Sequence, residues 1–297
     1  MRPWLVALGG VSLCSLFSAP AHAYCLTHTC DPMHDNCEMV DGCNVSGKVL
    51  FWPSSCVSYD VQKDGSQKLG ISYDTISMVA VNAFSQWLNA DCGGGTHPSI
   101  RLADLGPVAC SLPEYNKSQP NANIITFRDN DWPYANAVDT LALTTVWFNS
   151  DSGEIFDANM EINSFMYDFA VGEQGTKLDL ASVVTHEAGH FLGLSHSSSF
   201  TATMYRSYNS QMSTIEMDDV LAICESLPPT RVPDSDDCTP RHGFSGACST
   251  TQTGCCSTAV GAAATRGQPL ALVALGLGLS AWRVRRRTGR SKSLDRV

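Results

Sequence analysis

The chain has 297 residues, with 19 Lys or Arg and 29 Asp or Glu, which gives a formal net charge of −10. The charge is uneven, because residues 24–258 contain 10 basic and 28 acidic residues, a net charge of −18. A surface this acidic repels phosphate backbones, so we expect no nucleic-acid partner. It is compatible with calcium binding, which uses carboxylates, but does not require it.

Residues 1–23 have the pattern of a secretory signal peptide. Arg2 precedes an apolar run from Trp4 to Phe17, and the small-residue sequence Ala21-His22-Ala23 predicts cleavage after Ala23. A transmembrane anchor is the less favoured alternative, because the apolar run is short, is broken by Gly and Ser, and lacks a stop-transfer flank. We therefore expect an exported protein that is extracellular or anchored at the cell surface.

Twelve of the 13 cysteines follow the predicted signal peptide, and disulfides are the default for cysteines of an exported chain. Four of them, Cys25, Cys30, Cys37 and Cys43, crowd into residues 24–47 without the CxxC spacing of a zinc knot. This stretch is predicted to be a Cys-rich, irregular N-terminal extension held by disulfides. The pairing of the cysteines does not follow from their spacing.

Residues 48–228 have the size of one domain and carry the periodic patterns. The predicted strands are 55–61, 99–105, 121–127, 141–148 and 154–163, and the predicted helices are 74–91, with Asp74 as the N-cap, 178–192 and 213–227. The order is strand, helix, four strands, helix, irregular segment, helix. It predicts an α/β domain with a mostly parallel twisted sheet.

The C-terminal part is predicted to lie outside this domain. Residues 229–258 are rich in Pro, Ser, Thr and Gly and are predicted to be a linker. In residues 259–297, an apolar stretch precedes an arginine cluster, which favours a membrane segment with its basic end in the cytoplasm. The uncharged run from Leu270 to Trp282 is shorter than the ~20 residues of a spanning helix, so a soluble helix is the alternative.

With Cys255 and Cys256 before the apolar stretch, this tail resembles the C-terminal sorting signals of exported myxobacterial proteins. The resemblance implies that the tail is processed and that the protein is anchored or released at the cell surface.

Residues 186–196 read HEAGHFLGLSH. On a helix, His186 and His190 project from one face and can hold one Zn²⁺, and Glu187 can then act as general base on a zinc-bound water. Gly193 can end the helix in the left-handed conformation and return His196 as a third ligand. Three protein ligands with an open fourth position are the pattern of a catalytic zinc site.

The motif HExxHxxGxxH followed by Met204, in the sequence TATMYRSY, is the metzincin signature. Ser197 after the third histidine, Tyr208 and the sequence DDVLAI at 218–223 resemble the matrixin catalytic domains within that class.

The resemblance implies a metzincin-like zincin fold with an active-site helix and a C-terminal helix, which hydrolyses peptide bonds of protein or peptide substrates. It implies one catalytic zinc on His186, His190 and His196, Glu187 as the general base, and Met204 beneath the zinc in a Met-turn. It also makes residues 141–148 the edge strand to which an extended substrate adds.

The chain departs from the matrixin pattern at Arg206, where matrixins usually have Pro, near the wall of the specificity pocket. The strand at 157–163 lacks the histidine of a second zinc site, so one zinc is predicted, while Asp157 and Glu161 leave calcium binding open. The alternative function is a catalytically silent, surface-anchored binding or adhesion module with a metzincin fold. The intact Glu187 argues against it. Neither the physiological substrate nor the oligomeric state follows from these patterns.

Overall fold

The structure, a computed structural model, describes residues 23–32, 35–134, 137–172, 175–248 and the backbone of a strand at 293–296. The predicted signal peptide up to residue 22, and the predicted tail apart from that strand, lie outside the described residues. Among the described residues, no helix has the length and apolar character needed to cross a membrane.

A six-stranded sheet forms the scaffold of the described residues, with the strand order β12-β7-β8-β6-β4-β5. Its members are β4 (Cys56–Val61), β5 (Arg101–Asp104), β6 (Ile124–Phe127), β7 (Ala142–Phe148), β8 (Ile155–Ile162) and β12 (Ser293–Arg296). The pairs β4–β5, β4–β6 and β6–β8 are parallel, and β7 is antiparallel to both β8 and β12. The prediction of an α/β domain with a mostly parallel sheet agrees with this arrangement.

Shorter strands complete the element order. They are β1 (Cys25–Leu26), β2 (Met39–Val40), β3 (Cys43–Asn44), β9 (Phe169–Ala170), β10 (Leu178–Asp179) and β11 (Leu194–Ser195). The helices are α1 (Tyr73–Leu88), α2 (Leu180–Phe191) and α3 (Met217–Ser226). The predicted strands and helices are therefore present, and their ends differ by a few residues.

The N-cap of helix α1 lies two residues before the predicted N-cap Asp74. The Ser72 side chain accepts a hydrogen bond from the Thr75 backbone N–H, which makes Ser72 the N-cap and places Asp74 in the first turn. A short hydroxyl side chain satisfies one of the free N–H groups there as well as a carboxylate does. Asp74 still contributes, since a negative charge in the first turn favours the helix dipole.

One face of the sheet carries the hydrophobic core. Alternate residues of β4 and β8, such as Tyr59 and Met160, point to this face, where α1 and α2 cover them. Phe84 and Trp87 of α1 are almost fully buried there, and the Trp87 indole N–H donates to the Thr185 carbonyl of α2 at 2.9 Å. This contact fixes the position of α2 on the sheet, and α2 carries the histidine motif.

The opposite face of the sheet is polar and yet buried, with Ser58, Asp60, Asp157, Asn159 and Glu161 at 0% exposure. Residues 235–243 lie against part of this face, at Cys56 and Ser58, although they were predicted to belong to a linker. Disulfides join Cys56 to Cys238 and Cys110 to Cys248, and the backbone N–H groups of residues 109 and 110 donate to the Gly246 carbonyl. The linker prediction is thus wrong for residues 229–248. Their composition is typical of linkers, but disulfides tie this segment to the domain. Residues 249–258 lie outside the described part.

The N-terminal extension is held by the disulfides Cys25–Cys43 and Cys30–Cys37, in agreement with the prediction of a stapled loop. It is also part of the domain, because β1 pairs with β11 next to the predicted third zinc ligand. The Thr27 N–H donates to the Gly193 carbonyl at 3.0 Å. With Cys92–Cys224, all ten described cysteines are paired, which indicates folding in an oxidising environment.

Candidate active site

Helix α2 places His186, Glu187 and His190 in the interior beside the sheet, with exposures of 0%, 0% and 2%. Asp179 is its N-cap and accepts a hydrogen bond from the Ser182 N–H at 3.0 Å. Because residues four apart share a helix face, the two imidazoles lie side by side, with their ring centroids 4.8 Å apart.

The chain leaves α2 through a tight turn at Gly193, whose φ is +97°. A side chain there would be strained at that φ, and its Cβ would lie 3.1 Å from the Leu50 carbonyl oxygen. The predicted left-handed helix end is therefore present. The turn returns His196 to the other two histidines, with ring centroids 5.3 Å from His186 and 4.8 Å from His190.

Hydrogen bonds to backbone carbonyls fix the orientation of the His186 and His190 imidazole rings. The Nδ1 atom of His186 lies 2.6 Å from the Thr203 carbonyl oxygen, and that of His190 lies 2.9 Å from the Leu194 carbonyl oxygen. A carbonyl can only accept, so both Nδ1 atoms are protonated and both Nε2 atoms present lone pairs. This orientation is what metal-binding histidines require.

The donor set fits a zinc ion. The Nε2 atoms of His186 and His190 are 3.0 Å apart, and two lone pairs at this distance repel each other unless a cation lies between them. The Nε2 of His196 is buried with no hydrogen-bond partner among the described residues, and ligand atoms of all three residues lie within 4.8 Å of one another. Three imidazoles are a donor set that zinc favours.

Burial also keeps the imidazoles of His186 and His196 neutral, as metal binding requires. Burial, together with the neighbouring histidines, lowers the pKa of His186 well below its usual value. The pKa of His196 is lowered to about 2, first by burial and then by the charges of His190 and Arg206.

A second group of metal-type side chains among the described residues, Cys110, Glu114 and Cys248, does not offer such a site. Its two cysteines form a disulfide, so their sulfur atoms are not thiolates.

Met204 lies beneath the histidines with 1% exposure, where a Met-turn was predicted. Its turn is held by Asp219 of α3, whose carboxylate accepts from the Thr203 N–H at 2.7 Å and the Met204 N–H at 3.0 Å. Thr203 in turn accepts the hydrogen bond from His186. Asp219 thus supports His186, a candidate zinc ligand, through Thr203.

Gly189, inside the motif, permits the close approach of this methionine. A Cβ at position 189 would lie 2.3 Å from the Met204 sulfur and 2.9 Å from a ring carbon of Trp87. Only glycine allows α2 to pack so closely on the Met-turn and on α1.

The carboxylate of Glu187 accepts a hydrogen bond from the Thr144 hydroxyl of β7 at 2.5 Å. Thr144 has 1% exposure and lies on the helix-facing side of the strand. The strand predicted to receive substrate is therefore in direct contact with the predicted general base.

A cavity of about 600 Å³ lies next to the segment that follows the Met-turn, at Arg206, Ser207 and Tyr208. Leu141, Tyr167, Leu178 and Tyr208 line it, together with the charged residues Asp139, Asp168, Lys177 and Arg206. Arg206 connects the cavity to the histidines, because its charge contributes to the low pKa of His196.

The structure does not bring Asp157 and Glu161 together. They are four residues apart on one strand, which separates their Cα atoms by about 13 Å. The Glu161 carboxylate contacts the Arg128 guanidinium at 3.2 Å and the Tyr134 hydroxyl. A single calcium ion bound by both residues does not fit this geometry.

The contact of Thr144 with Glu187 and the pairing of β1 with β11 were not anticipated from the sequence. A threonine in a strand has no local signal for contact with a helix 43 residues away. Asp219 lies in a stretch that was noted for its resemblance to matrixins, but its bonds to the Met-turn were not predicted.

The comparisons with known proteins agree with this geometry. No curated protein matches the chain. Residues 115–226 match a peptidase family model described as Matrixin. The matched segment contains β7, α2, all three histidines, Glu187, Met204 and Asp219, so this part of the chain is similar to matrixins and supports a matrixin-like metzincin.

Proposed function

We propose that the protein is an exported, zinc-dependent endopeptidase that hydrolyses peptide bonds of proteins. The observation that carries the proposal is the convergence of three imidazole groups, with the Glu187 carboxylate held beside them by Thr144. The match of residues 115–226 to the matrixin family supports it.

His186, His190 and His196 would hold the ion. Zinc bound there would act as a Lewis acid, polarising a carbonyl group and making a coordinated water more acidic. Glu187 takes the proton from the attacking water and delivers it to the leaving amine, first as general base and then as general acid. Thr144 holds the Glu187 carboxylate in place, and no covalent intermediate with the protein is expected.

Strand β7 supplies the substrate-binding edge. An extended peptide that adds to β7 forms backbone hydrogen bonds and passes in front of Glu187. A side chain of the substrate then enters the cavity beside Arg206, whose mixed charges favour a polar group. This arrangement fits an endopeptidase, since a strand edge can bind an internal segment of the substrate and needs no free chain terminus.

The proposal is tested by expressing the chain without its signal peptide, adding zinc, and measuring cleavage of unfolded proteins and zinc content. Glu187→Ala should keep its zinc and lose activity, because the general base is not a ligand. His196→Ala should lose zinc, and His97→Ala, which alters a histidine outside the site, should change neither. Wild-type protein that holds zinc and cuts nothing would leave the silent binding module as the better function.

A further inference from the structure

The C-terminal strand β12 lies on the edge of β7 that faces away from β8. The two strands are antiparallel over four residue pairs, from Ser293 opposite Val146 to Arg296 opposite Leu143. This makes β12, and not β7, the last strand of the sheet among the described residues. The backbone edge of β7 is therefore occupied by a segment of the same chain.

The occupied edge adjoins the candidate catalytic centre. Asp295 is the residue opposite Thr144, and the Thr144 hydroxyl donates to the Glu187 carboxylate. An extended substrate that adds to β7 needs these same backbone groups. One edge can pair with only one strand at a time.

We propose that residues 293–296 are an intramolecular competitor of the substrate, which pairs with β7 and keeps the intact chain in a less active form. The proposal rests on the proposed function, since it identifies the edge of β7 as the place where substrate binds.

The covalent connection makes such competition effective. The 44 residues at 249–292 connect the domain to β12, which is enough chain to reach β7. A segment tethered in this way has an effective concentration on the order of mM at its site. A free peptide substrate at a lower concentration must displace it. Any event that cuts the connection lets the segment diffuse away and exposes the edge.

A membrane-inserted tail would have the same effect as a cut. If the apolar stretch that ends at Trp282 entered a membrane, with the arginines beyond it on the far side, residues 293–296 would be separated from β7. Pairing with β7 and insertion therefore exclude each other. The tail would suppress cleavage by the intact chain in solution and release it after processing or anchoring.

The test uses the full chain from Tyr24 to Val297, with a recognition site for a sequence-specific protease inserted after Thr258. Backbone hydrogen exchange at residues 142–146 is measured on the Glu187→Ala variant before and after the cut, so this readout does not depend on activity. We expect exchange at β7 to become faster after the cut. Unchanged exchange would overturn the proposal.

Activity provides the second readout. The variant Leu294→Pro/Asp295→Pro removes two adjacent backbone N–H groups of β12, and at least one of two neighbouring residues faces the partner strand in an antiparallel pair. It should cleave a peptide substrate roughly threefold faster or more, as expected for loss of a tethered competitor. Thr288→Pro, outside the strand, should behave like the wild type.

The two proposals fail in different ways. Faster exchange after the cut, with no peptide cleavage by any form of the protein, would support the pairing of the tail and reject the endopeptidase. Cleavage with equal rates in the wild type and in the double proline variant would support the endopeptidase and reject competition by the tail.

Discussion

At the scale of single residues, the site depends on side chains that hold other side chains. Thr144 has no reactive role of its own, yet its hydroxyl donates a hydrogen bond from the sheet to the Glu187 carboxylate. Asp60, by contrast, lies fully buried on the far face of the sheet and plays no part in the site. Both residues lead to predictions.

We predict that Thr144→Val lowers kcat about tenfold, since it removes the hydroxyl that orients the general base, and a misplaced base loses much of its effect. Zinc content should stay the same. Thr144→Ser keeps the hydroxyl and should restore most of the rate. Thr145→Val is the matched control, because the buried Thr145 hydroxyl has no hydrogen-bond partner among the described residues. Equal rates in Thr144→Val and the wild type would show that Glu187 needs no support from the strand.

The pH dependence of stability should reflect Asp60. Burial raises the pKa of Asp60 to about 7, against the lowering effect of the Leu105 N–H. The folded state therefore binds a proton that the unfolded state has lost, and stability falls as the pH rises from about 4 to about 7.

We predict that Asp60→Asn, which stays neutral, is more stable than the wild type at about pH 8, by a few kcal/mol at roughly 1.4 kcal/mol per pKa unit. The two proteins should differ little at about pH 4. Urea unfolding at both pH values measures this, and Asp151→Asn, at an exposed position, is the control. A stability difference independent of pH would show that Asp60 is not the group responsible.

At the scale of elements, helices α2 and α3 build the site together. Helix α2 supplies two histidines and Glu187, whereas α3 supplies no ligand and instead holds the Met-turn through Asp219. Asp219 also accepts from the Glu216 N–H at the start of its own helix. The Asp219 carboxylate therefore caps the N-terminal end of α3 and also orients Thr203, which contacts His186.

We predict that Asp219→Asn weakens zinc binding about 10- to 100-fold, the usual cost of losing support for a metal ligand. An amide cannot accept from three backbone N–H groups as a carboxylate does. Competition with a chelator measures the affinity. Asp218→Asn is the control, because Asp218 contacts the Ser197 hydroxyl and the backbone of residue 23 but not the Met-turn. Equal losses in both variants would mean that the effect is a general one on α3.

At the scale of the whole molecule, five disulfides crosslink the described residues, and two of them tie residues 229–248 to the domain. Cys92–Cys224 joins the segment after α1 to α3 across 132 residues, whereas Cys25–Cys43 closes a separation of only 18 residues. Because a crosslink restricts the unfolded chain more when its loop is longer, the first bond should contribute more to stability.

We predict that Cys92→Ser/Cys224→Ser lowers the free energy of unfolding by roughly 2–5 kcal/mol, and that Cys25→Ser/Cys43→Ser lowers it by less. Denaturant unfolding of the three proteins gives the comparison. Removal of the first bond should also reduce activity at elevated temperature, because α3 carries Asp219. A larger loss from the N-terminal pair would show that contacts of the extension, not loop length, dominate.

The local chemistry of the site was determined by the sequence. The spacing of His186, Glu187 and His190 is a helix period, and Gly193 has the conformational freedom that the turn requires. Both features depend only on residues close together in the chain, so they could be inferred from the sequence. The order of strands and helices followed in the same way from hydrophobic periodicity.

Contacts between distant segments were decided only by the tertiary structure. No pattern near Thr144, Asp219 or Gly189 shows that these residues meet Glu187, Thr203 and Met204, because each contact depends on how the sheet and helices pack. Residues 229–248 have the composition of a linker, yet disulfides to Cys56 and Cys110 and hydrogen bonds such as those to the Gly246 carbonyl make them part of the domain. The pairing of β12 with β7 is of the same kind: an open strand edge accepts any extended segment, and the folded chain determines which one reaches it.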